Sequence, residues 1–128
     1  MKRVLFVCVE NSNRSQMAEA FARLHGGGAV EAHSAGSRPS GRVNPKAIAA
    51  MAERGIDLSA HTSKGLDAVE QLAFDAAVTM GCGDACPHVR ARIRDDWALA
   101  DPRELDADGV RAVRDEIERR VKELLARL

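Results

Sequence analysis

The chain has 128 residues, 45% of them hydrophobic, with 19 basic side chains balanced by 19 acidic ones. That length fits one domain, residues 1–128, with an interior large enough for its own core. Zero net charge removes the broad positive field that nucleic acid or an anionic membrane surface would call for. No apolar run approaches the roughly 20 residues of a membrane span, and the N-terminus lacks a signal-peptide pattern, so the expectation is a cytoplasmic monomer. In a reducing compartment, three cysteines point to catalytic or redox work rather than a structural framework.

Residues 4–7, Val-Leu-Phe-Val, are too few for a helix and rich in β-branched and aromatic side chains, which predicts a strand buried on both faces. Residues 15–24 place Met17, Ala20, Phe21 and Leu24 at helical spacing. Between them runs Cys8-Val9-Glu10-Asn11-Ser12-Asn13-Arg14-Ser15, a loop that ends at a helix N-terminus. The first N–H groups of a helix lack intrahelical partners and the peptide dipoles add positive potential there, so this loop reads as a pocket for a tetrahedral oxyanion. A thiolate gains from the same field, which makes Cys8 the nucleophile. The Arg14 fork can donate two parallel hydrogen bonds to the ligand, and Ser15 is placed to donate to the sulfur. Asn11 suits a loop position with positive φ. The loop by itself does not say which tetrahedral oxyanion it holds. A strand-end core cysteine beside an exposed arginine would explain none of this spacing.

Further along, residues 30–34 read as a second strand, followed by a Gly/Ser/Pro loop that carries Arg38 and Arg42. Asn44 caps a helix with Pro45 at its first position and Ile48, Met51 and Ala52 on its inner face, and Gly55 ends it. Ser63 predicts the cap of a short helix through residue 71. Residues 75–80 form a third strand and residues 93–97 a weaker fourth. The tail, residues 108–128, is an amphipathic helix striped by Val110, Val113, Ile117, Val121, Leu124 and Leu128. Asp115/Arg119, Glu118/Lys122 and Glu123/Arg127 stand at i,i+4 spacing on its wet side. Strands alternating with helices imply a parallel α/β sheet with its ligand site at the carboxyl ends of the strands, where Cys8, Ser34, Met80 and the segment after Trp97 should converge. Cys82, Cys86 and His88 could ligate zinc, but no fourth ligand stands nearby and such a site leaves the Cys8 loop unexplained. A non-enzymatic metalloid sensor built on Cys82 and Cys86 likewise wastes that loop.

The stretch from Val7 to Ala20, together with Ser34-Ala35-Gly36, residues 43–48, His61-Thr62-Ser63, Val78-Thr79-Met80 and Asp101-Pro102, resembles the arsenate reductases built on the low-molecular-weight tyrosine phosphatase fold. The resemblance implies one three-layer α/β domain, with a four-stranded parallel sheet in flavodoxin-like order and helices on both faces. It gives Cys8 the attack on arsenate, Arg14, Ser15 and the N–H groups of Val9, Glu10, Asn11, Ser12 and Asn13 the oxyanion, and Asp101 the role of acid. It makes Cys82 and Cys86 the second and third thiols of a relay regenerated by thioredoxin, or by a low-molecular-weight thiol such as mycothiol, with no bound cofactor. The same fold also supports a phosphatase acting through a phosphocysteine at Cys8. A chain with no tyrosine and one tryptophan offers little for the aromatic wall of a phosphotyrosine slot. Family members can hold potassium beside the anion loop, and Asn11, Glu19 and Ser34 match three of its ligands. The acidic fourth position is Lys64 here, so the expectation is an ammonium in place of the cation.

Overall fold

A computed structural model describes residues 1–81 and 89–128. Four strands, β1 (Lys2–Cys8), β2 (Val30–Gly36), β3 (Ala73–Thr79) and β4 (Arg90–Asp96), form one parallel sheet in the order β2-β1-β3-β4. Among the described residues three α-helices accompany them: α1 (Arg14–Gly26), α2 (Pro45–Ala52) and α3 (Ala107–Ala126). The chain leaves β1 for β2 on one side and later enters β3 on the other, so the topology opens a crevice at the carboxyl end of β1, the position of Cys8.

Strand β1 is central and buried from Val4 to Cys8, as its continuous apolar run requires, whereas edge strand β4 alternates between exposed and half-buried residues. On one face Val4, Phe6, Ala76 and Val78 pack with Met17 and Phe21 of α1, Met51 of α2, and Ile117, Val121 and Leu124 of α3. Each of these side chains larger than alanine contributes about 1.5–3 kcal/mol. The opposite face, with Leu5, Val7, Ala77 and Phe74, is covered by Leu66, Val69 and Leu72. Trp97 closes the first core against Phe6, their ring centroids 5.9 Å apart.

The cap at Asn44 forms, its side chain accepting from Lys46 N at 2.8 Å with Pro45 at the first helical position. Two sequence expectations are corrected. Residues 63–71 form no α-helix, only a 3-10 turn at Leu66–Ala68. Ser63 does not cap it: its hydroxyl donates to Glu10 O at 2.7 Å, Lys64 N donates to Asn11 Oδ1 at 2.8 Å, and Gly65 is extended. The backbone there is committed to the Cys8 loop instead.

The second correction concerns α3. Glu118 does not pair with Lys122; it is buried and accepts from Arg54 and from His25. Burial pushes the Glu118 carboxyl up, but the hydrogen bonds from Arg54 and His25 outweigh it and hold the group below its ordinary range. Arg119 takes Glu116 and Glu123, Asp115 takes Arg114, and Arg127 reaches Asp95 on β4. Glu118 and Arg127 thus take partners on other elements, whereas Arg119 and Asp115 find theirs at other positions on α3.

Candidate active site

The loop from Val9 to Asn13 is shaped by its carbonyls. Val9 O accepts from Arg38 N (2.8 Å), Glu10 O from Ser40 N (3.2 Å) and Ser63 Oγ, Asn11 O from Gln16 Nε2 (3.0 Å), Ser12 O from Asn44 N (2.9 Å) and Asn13 O from Met17 N (3.0 Å). With every carbonyl from Val9 to Asn13 tied outward, the N–H groups of Glu10 to Arg14, which have no acceptor among the described residues, are left for a ligand. The Gly/Ser/Pro loop is therefore a brace, and Arg38 contributes to it through its backbone.

Asn11 has φ 51°, the one non-glycine in that region among the described residues, and it is fully buried. Its Oδ1 takes Lys64 N and Gln16 Nε2 (3.0 Å), which repays the backbone conformation with hydrogen bonds. Its Nδ2 donates to Ser15 Oγ at 2.8 Å. An amide nitrogen can only donate, so the Ser15 oxygen is the acceptor there and its own proton is free for Cys8 Sγ, 2.9 Å away. Beneath the loop, β2 ends at Gly36, where a Cβ would stand 2.6 Å from Val9 O and 2.8 Å from Asn11 N. Only glycine allows the strand that close to the loop.

Cys8 is a buried free thiol. Arg14, 6% exposed, opens α1 with Nη1 on Leu99 O at 3.2 Å and Nη2 3.9 Å from Asp101 Oδ2. Cys8, Val9, Glu10, Ser12, Asn13, Arg14, Asp101 and Arg103 line a cavity of about 80 Å³. Pockets for drug-sized molecules run to about 300–1,000 Å³, and this one has room for a small tetrahedral anion. Asp101, 93 residues from Cys8 in sequence, reaches the mouth because the chain after Trp97 crosses the strand ends; its Oδ1 accepts from Arg103 N and caps the turn Pro102–Glu104.

These features coincide with one set of known proteins. The model of the family of low molecular weight phosphotyrosine protein phosphatases matches residues 3–128. The chain belongs to that family. A glutaredoxin arsenate reductase from Synechocystis sp. is 41% identical over 131 residues, covering 100% of this chain and 99% of its own. A solved structure described as an arsenate reductase in the phosphate binding state superposes with a TM-score of 0.91 at 41% identity, covering 99% of this chain and 98% of that one. The Corynebacterium glutamicum thioredoxin-dependent arsenate reductase has a TM-score of 0.82 at 36% identity, covering 97% of this chain and 60% of its own. The family's fold and its arsenate-reducing branch are thus the relatives expected from the motifs; a glutaredoxin-linked relative was not among those expectations.

Beside the loop, Glu19 is 3% exposed and accepts from Ser34 Oγ at 2.6 Å. Arg23 approaches it at 3.0 Å, His61 Nδ1 at 3.7 Å and Lys64 Nζ at 3.7 Å, with Lys64 Nζ also 3.5 Å from Ser34 Oγ and 3.0 Å from Thr62 O. Asn11, Glu19, Ser34 and Lys64 are therefore neighbours, with the ammonium against the carboxylate. His61 donates from Nδ1 to Gln16 Oε1 at 3.0 Å, since the Gln16 amide nitrogen is spent on Asn11 and Thr62. Burial lowers the His61 pKa more than Glu19 raises it.

Cys82, Cys86 and the His88 of the zinc alternative lie outside the described residues. Among the described residues no cluster of three His, Cys, Asp or Glu could hold a metal, and no helix is long and apolar enough to cross a membrane. Sequence reasoning missed Gln16 and Arg103. Gln16 is a fully buried polar residue between Ser15 and Met17, and a polar side chain on the inner turn of a helix is a signal that something there needs a hydrogen bond.

Proposed function

We propose that this chain reduces arsenate to arsenite, with Cys8 as the attacking thiol and Cys82 and Cys86 as the thiols that carry the electrons away. The observation that carries the reading is the Asn11 to Ser15 to Cys8 hydrogen-bond chain beneath a loop whose N–H groups have no acceptor among the described residues, in a cavity with room for a small oxyanion. Arg14 and the loop N–H groups take the charge of the oxyanion, Ser15 donates to the sulfur, and Cys8 thiolate displaces an arsenic-bound hydroxide, which leaves as water with a proton from Asp101. Cys82 thiolate then attacks the Cys8 sulfur. The sulfur–arsenic bond breaks with its electron pair going to arsenic, which leaves as arsenite, and a Cys8–Cys82 disulfide remains. Cys86 thiolate attacks Cys82, releases Cys8 as thiolate and leaves a Cys82–Cys86 disulfide for an external dithiol, which is itself oxidised.

The reductant we favour is a thioredoxin, on the strength of the Corynebacterium glutamicum neighbour. A glutaredoxin with glutathione is the second reading, favoured by the Synechocystis relative. Lys64 supplies beside Glu19 the positive charge that potassium would otherwise supply, which is supported by its ammonium lying against Glu19 and Ser34.

The test is NADPH consumption with arsenate in two coupled systems, one with thioredoxin and its reductase, the other with glutaredoxin, glutathione and glutathione reductase. Parent turnover in one of them, abolished by Cys8→Ser and by either Cys82→Ser or Cys86→Ser, is expected. Turnover that survives both of the latter substitutions ends the relay. Efficient hydrolysis of an aryl phosphate with no arsenate turnover would establish the phosphatase instead.

A further inference from the structure

An oxyanion site with a glutamate in its own loop has a charge problem. Glu10 lines the cavity with Cys8 and Arg14, and Asp101 stands across the mouth, so two carboxylates face an incoming anion that carries one or two negative charges. Arg14 balances only one of them. The second cation is Arg103. One arm of its guanidinium, Nη1, donates to Glu10 Oε2 at 3.1 Å, and the other, Nη2, lies 3.5 Å from Asp101 Oδ2.

Both ends of this bridge are anchored. Asp101 caps the turn that carries Arg103, and Lys46 Nζ donates to the Arg103 and Leu105 carbonyls at 2.9 and 2.8 Å, pinning the turn to the start of α2. The Glu10 carbonyl is held by Ser40 N and Ser63 Oγ. The guanidinium therefore joins two carboxylates that line the mouth, and it does so while more than half exposed, where an ion pair contributes little to folding.

We propose that Arg103 is a positioning residue of the oxyanion site: it draws the Glu10 carboxylate aside and, with Arg14, offsets the carboxylates at the mouth so that a multiply charged anion can enter. The proposal rests on the oxyanion-binding reading of the Cys8 loop. It makes Glu10 and Arg103 an interdependent pair, in which the acid is tolerable only because the base is present.

Inorganic phosphate binding by calorimetry, alongside arsenate turnover, tests it. In Arg103→Gln the phosphate Kd is expected to rise about tenfold at low ionic strength and less in 0.5 M salt, with the loss in turnover falling on KM more than on kcat. Adding Glu10→Gln should bring the Kd of the double variant back to within about threefold of the parent. A phosphate Kd in Arg103→Gln within twofold of the parent overturns the proposal. So does a double variant no better than Arg103→Gln alone, because a merely structural Arg103 would not be rescued by removing the acid. A parent that binds phosphate but does not reduce arsenate would end the reductase reading and leave this test standing.

Discussion

Replacing Gly36 by alanine tests the construction of the anion loop more sharply than changing any residue that faces the ligand. The new methyl carbon would lie 2.6 Å from Val9 O, 2.8 Å from Asn11 N and 3.0 Å from Glu10 C, all backbone atoms, against an ordinary contact that begins at 3.4 Å. The loop must retreat by about 0.8 Å at its closest point, or β2 must yield, and no flexible side chain can absorb the shift. Overpacking of this kind costs about 1–3 kcal/mol. At about 2.1 cal/mol/K of unfolding entropy per residue, a chain of 128 residues should lose about 4–11 °C in Tm and remain folded at 25 °C. Function should suffer far more, because a misplacement approaching 1 Å in a catalytic constellation costs about 100-fold. Thermal melts by circular dichroism, phosphate calorimetry and arsenate turnover check this, with Gly28→Ala as control, since a Cβ there meets nothing within 4 Å. Phosphate affinity and turnover within threefold of the parent in Gly36→Ala would refute the argument that β2 sets the shape of the loop.

Other expectations follow the same hydrogen bonds. Ser15→Ala removes the donor to Cys8 and strands the Asn11 amide in a buried position, so we expect kcat to fall about 10–100-fold in single-turnover assays while phosphate Kd changes by less than fivefold. Parent activity should be the same in sodium and in potassium at constant ionic strength, and Lys64→Met should make it potassium-dependent; a steep potassium response in the parent contradicts the built-in cation. Because burial lowers the His61 pKa from its ordinary 6.5, the folded state binds that proton less readily than the unfolded one. Its contribution to stability is thus complete above pH 6.5 and is lost as pH falls below it, and denaturant titrations of His61→Gln should show a shallower decline between pH 7 and pH 5 than the parent.

How far the residues could be read in advance depended on the range of the forces involved. Cys8, Arg14 and Ser15 are close in sequence, and their strand–loop–helix setting follows from local periodicity; the same holds for the positive φ of Asn11 and the cap at Asn44. Asp101 needed the family resemblance, since its approach to Arg14 depends on where the chain travels after Trp97. The helix expected over residues 63–71 failed because Ser63 and Lys64 spend their donors on Glu10 and Asn11, more than fifty residues away, and no local propensity encodes that. On α3 the partner of Glu118 was misassigned for the same reason, the carboxylate being claimed by Arg54 and His25. Gln16 and Arg103 went unnoticed because each looks like an ordinary helix or turn polar residue until the loop it serves is in place.

The outward anchoring of the loop carbonyls also ties oxyanion affinity to the integrity of the whole domain. The anchors come from the first turn of α1, from the 38–44 segment and from Ser63, and Gly36 of β2 supports them from below, so a partly folded chain possesses no anion pocket. Phosphate or arsenate bound in that pocket would favour the native state alone. By mass action, an anion at 100 times its Kd adds about 2.7 kcal/mol to stability, so Tm and resistance to proteolysis are expected to rise with phosphate concentration.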